Sequence, residues 1–220
     1  MNKKSLVATS LLATGLLLSS TQTWSVSLTT AGDYLLPGTS YVERPELGGV
    51  VLEDMITDFS ISGAGENLTG TIQNRVIRSN DGTVDFSWRI TSVSGMGDLS
   101  AFRVIGFDGY TLDADWRTDG DGNVSPTTAR YFGDGSGAVN FLFDRIEVGP
   151  NDQSYFFFLD TNATHYDLTG QFDLLCADTG CISSGYDTFA PSAVPVPAAV
   201  WLFGSGLVGL LGIARRKQIS

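Results

Sequence analysis

The sequence predicts an all-β fold: an antiparallel β-sandwich of jelly-roll-like character, with about eight to ten strands. Three observations lead there. Apolar residues recur at every second position through the middle of the chain, which is the period of a half-buried strand. Clusters of Gly, Asp, Asn and Ser break these runs about every 10–15 residues, as turns between strands do. Between the two apolar ends of the chain, no segment carries a sustained helical stripe.

The elements follow in order. Residues 50–52 and 59–61 are short apolar stretches that read as strands. Residues 68–77 and 83–93 form a hairpin through the turn Asn80-Asp81-Gly82. In its second strand Val84, Phe86, Trp88 and Ile90 face the core, while Asp85, Ser87, Arg89 and Thr91 face away from it. Residues 102–107 and 139–143 are apolar on both faces, as expected in the middle of a sandwich. Residues 155–159 are too short for a helix and too rich in Phe for a loop. In 168–174, Leu168, Phe172 and Leu174 point inward.

The ends are of a different kind. Lys3 and Lys4 precede an apolar run at 6–18 and a small-residue site, Ser25-Val26-Ser27, so residues 1–27 read as a secretory signal cut by signal peptidase before Leu28. At the other end a proline-rich linker, 190–197, leads into 17 uncharged residues at 198–214 and a basic tail at 215–220. A helix of that length spans about 26 Å, the short limit for a bilayer core, and the cations place its end in the cytoplasm. The stretch between, 28–189, is the ectodomain.

Val194, Pro195, Val196, Pro197 and Ala198, the glycine-rich apolar run, and Arg215, Arg216 and Lys217 stand in fixed order. This arrangement closely resembles the PEP-CTERM sorting signal of exopolysaccharide-producing Gram-negative bacteria, in the variant read as VPLPA, with Val196 in place of its leucine. The resemblance covers about the last 25 residues and does not extend to the ectodomain. It implies recognition by an exosortase, a membrane-embedded protease or transpeptidase, which removes the helix and passes the domain to the cell surface or extracellular matrix.

Trimming both ends leaves eight arginines, no lysine and all 24 acidic residues, a net charge of −16. That field opposes nucleic acid, and it opposes anionic polysaccharide unless cations bridge the two. The only cysteines, Cys176 and Cys181, lie in the exported part. In an oxidising compartment they should form a disulfide closing a small loop.

Asp119, Asp121 and Asn123 match the first three ligand positions of an EF-hand loop. Val124 stands at the obligatory glycine position and no Glu follows at the twelfth, so the alternative is an acidic turn with self-satisfied side chains. No other cofactor is implied. His165 is the only histidine, it sits in a turn-like stretch, and no nucleophile elbow accompanies it. Tyr110, Trp116 and Tyr131 could stack on a sugar ring. The expectation is a non-enzymatic surface or matrix protein, with no catalytic residues, handled by signal peptidase and an exosortase. The alternatives are a carbohydrate-binding module, calcium-assisted or not, and then a secreted hydrolase.

Overall fold

The computed structural model describes residues 25–63, 65–143, 148–176 and 181–193. The apolar run of the signal peptide, the sorting motif from Val194 onward, the apolar segment at 198–214 and the basic tail lie outside the described residues.

Two six-stranded antiparallel sheets pack as a β-sandwich. The front sheet runs β1 (Val26–Ser27), β7 (Leu112–Trp116), β10 (Phe157–Thr161), β5 (Val84–Met96), β4 (Glu66–Ser79), β3 (Gly49–Gly63). The back sheet runs β12 (Tyr186–Pro191), β11 (Tyr166–Cys176), β6 (Leu99–Ile105), β9 (Val139–Leu142), β8 (Thr128–Tyr131), β2 (Gly32–Leu35). One 3-10 turn, Pro45–Leu47, interrupts the link from β2 to β3.

The expected hairpin is present. β4 and β5 pair from Arg78↔Val84 outward, and Gly82 takes φ +94° in the turn, a left-handed conformation that suits glycine. Val84, Phe86, Trp88 and Ile90 are buried in the core as read from their alternation. Trp88 sits at its centre, with ring centroids 5.5 Å from Phe102 on β6 and 6.3 Å from Phe157 on β10. Its Nε1 donates to Thr188 Oγ1 at 2.9 Å, and that hydroxyl donates to Asn74 Oδ1 at 2.9 Å. This polar thread through the aromatic layer is therefore satisfied end to end.

The structure corrects several sequence expectations. Among the described residues there are twelve strands rather than eight to ten. The additions are short (β1, β2, β7, β8) or lie beyond the disulfide (β12). Residues 50–52 and 59–61 belong to one 15-residue strand, β3. It lies at the sheet edge, where Glu53, Asp54 and Asp58 break the apolar pattern, as charges on edge strands do. Leu168 is exposed rather than inward, because a bulge between Asp167 and Gly170 shifts its phase. Asp85 and Ser87 are buried although they lie on the outer face. Cys176 and Cys181 are joined at the end of β11, their Cα atoms 5.2 Å apart.

Two placements bear on the chain ends. Val26 and Ser27 pair with Ala114 and Asp113 of β7. Ala190, read from sequence as linker, lies in β12 and is buried.

Candidate functional site

The outer face of the front sheet carries the polar chemistry. Register aligns its side chains in cross-strand rows. Asp113 of β7 opposes Asp160 of β10, and the β10–β5 register, continued by one residue, brings Asp160 beside Asp85. Asp85 in turn opposes Ile77 of β4. The next row is Asp115, Phe158, Ser87, Arg75, and beyond it Phe156 lies next to Arg89.

Residues 36–48, leading from β2 to β3, form a strap that covers part of this face. Thr39 N donates to Trp116 O at 2.9 Å and Thr118 N to Thr39 O at 2.8 Å. Gly38 N donates to Asp115 Oδ1 at 2.8 Å. Gly38 has φ +80°, and a Cβ there would stand 2.5 Å from the Trp116 ring, so only glycine allows the strap to lie this close. Farther along, Tyr41 N donates to Asp119 Oδ2 at 2.8 Å, and Leu47 is buried against the sheet. Asn80 of the β4–β5 turn fixes the far end, its Nδ2 donating to Pro45 O at 2.9 Å.

Beneath the strap lies a carboxyl pair. Arg44 spans three partners: Nη2 donates to Asp160 Oδ2 and Nε to Glu46 Oε1, each at 2.7 Å, while Nη1 donates to Ser25 Oγ. Burial and the neighbouring Asp160 carboxylate push Asp85 up to about 8, against the hydrogen bond from Ser79 Oγ. Folding therefore favours the protonated form of Asp85. Burial also raises Asp160, and the Arg44 guanidinium opposes that. Asp115 is pushed by burial to about 6, with the Trp116 and Gly38 amides holding it down. One oxygen of each of two buried acids, Asp85 Oδ1 and Asp115 Oδ2, has no hydrogen-bond partner.

Beside the strap opens a cleft of about 330 Å³. Asp85, Ser87, Phe156 and Phe158 line its sheet side, with Leu47 at the strap. Three guanidiniums converge on it. Arg75 pairs with Asp54 at 2.9 Å and stacks over Phe156, 4.6 Å from the ring centroid. Arg117 holds both oxygens of Asp119, at 2.8 and 2.9 Å. Arg89 lies 5.7 Å from the Phe156 ring and donates to Gln153 Oε1 at 2.7 Å and Ser154 O at 3.2 Å. It has no carboxylate partner among the described residues. Arg89, Gly120 and Asp121 also line an adjoining, more open hollow of about 560 Å³, with Asn123, Asn151 and Gln153. The two form one groove.

The residues weighed from sequence fall into this frame unevenly. Asp119 and Asp121 line the groove, but Asp119 is committed to Arg117. Asn123 Nδ2 donates to Asp152 Oδ1 at 2.6 Å and its Oδ1 accepts from Gln153 N at 2.8 Å. The Asp119–Asp121–Asn123 set thus offers a calcium ion few free oxygens. Among the described residues the only trio of His, Cys, Asp or Glu ligand atoms close enough for a metal is Glu66 with Cys176 and Cys181, whose sulfurs are in the disulfide. Trp116 packs on Tyr155 at 5.2 Å and on the strap, and Tyr110 and Tyr131 lean on the core, so none is an open stacking platform. His165 is exposed and meets the Thr164 hydroxyl at 3.0 Å.

Sequence reasoning missed the Asp85–Asp160 pair and the arginine cleft. Their residues come from five separated stretches, and no local spacing links them. The one available signal was the row Asp85, Ser87, Arg89 on the outer face of β5.

No family model matches this chain, and neither the curated proteins nor the solved structures contain a match to it.

Proposed function

We propose that the chain is an exported cell-surface or extracellular-matrix protein, processed by signal peptidase and sorted by an exosortase-type system, with no catalytic activity of its own. One observation carries this reading: a P-x-P motif, 17 uncharged residues and Arg215-Arg216-Lys217 in that order at the C-terminal end. The Cys176–Cys181 disulfide supports it, because such bonds persist in oxidising compartments. The chain changes sheet at most of its connections, the exceptions being the β3–β4–β5 meander and the β8–β9 and β11–β12 hairpins, and this supports a jelly-roll-like winding. The Asp85–Asp160 pair fits a structural role, since Arg44 and the strap lie over it.

A second reading, a carbohydrate-binding module, is favoured by the groove on the front sheet. Guanidinium, amide and carboxylate groups lie there beside apolar surface, the mixture that a polyhydroxylated ligand needs. The two readings are compatible, because a matrix protein has reason to hold the polysaccharide around it.

The test is a Pro195→Ala/Pro197→Ala variant in the producing cell. Sorting by this motif requires it to accumulate as unprocessed precursor in the inner-membrane fraction. Normal release to the surface would refute the sorting reading.

A further inference from the structure

We propose that the front-sheet cleft binds a carboxylated sugar, with Arg89 as the ion-pair partner of its carboxylate. The inference rests on the binding-module reading and names its ligand class.

Charge is the first argument. The domain carries −16, yet its cleft gathers three of its eight arginines, with Asp119 and Asp121 on the same lining. Asp85, the third acid on the lining, is held neutral by its burial. With Arg75 and Arg117 paired to Asp54 and Asp119, Arg89 remains as a local cationic centre in an otherwise acidic protein.

The second argument is the state of the individual groups. Arg75 and Arg117 are neutralised by Asp54 and Asp119, while Arg89 meets only neutral acceptors among the described residues. Its planar fork is partly buried and half satisfied, which suits bidentate pairing with a carboxylate.

The third argument separates a sugar from a bare anion. Asp121 makes no hydrogen bond or ion pair among the described residues, and it lines both parts of the groove, the open part together with Asn151 and Gln153. Acceptors and amides of this kind match the hydroxyl groups of a sugar, which a bare anion lacks. The cleft volume of about 330 Å³ lies at the small end of ligand sites, suited to a short segment of chain.

The experiment is titration calorimetry on the full-length chain in detergent, with oligomers of galacturonate, glucuronate and mannuronate as probes. Each is compared with its methyl ester, which keeps the shape and removes the charge. At least one acidic oligomer should bind at least about tenfold more tightly than its ester. Arg89→Gln should abolish that difference, and Asp121→Ala should weaken both forms without lowering the melting temperature. If Arg89→Gln unfolds the chain, the wild-type preference for acid over ester must still fall as salt is raised toward about 0.5 M. Equal binding of acid and ester, no binding of any acidic oligomer, or competition by inorganic phosphate at equal concentration overturns the proposal. Such a failure leaves sorting untouched, because sorting is read from processing in the cell.

Discussion

Arg44 and Asp160, 116 positions apart, meet at 2.7 Å, and this contact joins the strap to the outer face of β10. It also puts a cation over two carboxyls that share a buried row. Deleting the guanidinium would leave Asp160 next to Asp85 without compensation. Arg44→Met should cost about 2–4 kcal/mol, somewhat below the range for fully buried pairs because both side chains keep some solvent contact. Chemical denaturation of the two proteins measures it. A change under about 0.5 kcal/mol would mean that the strap is held by its backbone contacts alone.

The acid pair also sets a pH dependence. Asp85 rises from 3.8 to about 8 on folding, so between those values the folded chain binds a proton that the unfolded chain releases. Stability therefore falls as pH rises through that window, and Asp115, raised to about 6, adds to the fall in its lower part. Asp33 and Asp119, lowered by their arginine partners, act oppositely and lose their contribution only on acidification below their normal value. The melting temperature should thus peak on the acid side of neutrality. Asp85→Asn keeps the shape of the protonated acid and should flatten the decline between about pH 5 and 8. An unchanged profile in the variant would show that Asp85 is ionised when folded.

How far the sequence could be read follows from the same residues. Alternation places Val84, Phe86, Trp88 and Ile90 inward correctly, because β5 lies in the interior of its sheet and the core imposes period two on it. The same alternation leaves Asp85 and Ser87 looking solvent-facing, since the strap over them comes from residues 36–48 and announces itself by no pattern in β5. Leu168 breaks the rule because it lies within the bulge between Asp167 and Gly170. The cleft is a matter of register among β4, β5 and β10, which no single stretch encodes. Net charge likewise describes only the far field: −16 does not reveal that Arg75, Arg89 and Arg117 line one cleft.

The core offers a direct check on packing. Trp88→Ala should cost about 3–5 kcal/mol, the range for emptying a buried aromatic site. Thr188→Val preserves shape but strands the Trp88 N–H and the Asn74 carbonyl, and should cost about 1–3 kcal/mol. Thermal melts separate them, at about 2–4 °C per kcal/mol for a domain of this size. A neutral Thr188→Val would mean that the polar thread adds nothing.

Strand β1 makes a prediction about processing. Val26 and Ser27 pair with β7, and Ser25 Oγ accepts from Arg44. Cleavage before Leu28 would remove these contacts and expose the β7 edge. The mature chain should therefore start at or upstream of Ser25, as read by N-terminal sequencing. A mature terminus at Leu28 would show that β1 is absent from the exported protein.

The most direct test of the central claim, export followed by C-terminal sorting, is the intact mass of protein extracted from the cell surface. The account predicts a single mature form lacking everything from Trp201 onward, with the disulfide in place. A surface pool that retains Arg215 through Ser220 would contradict it.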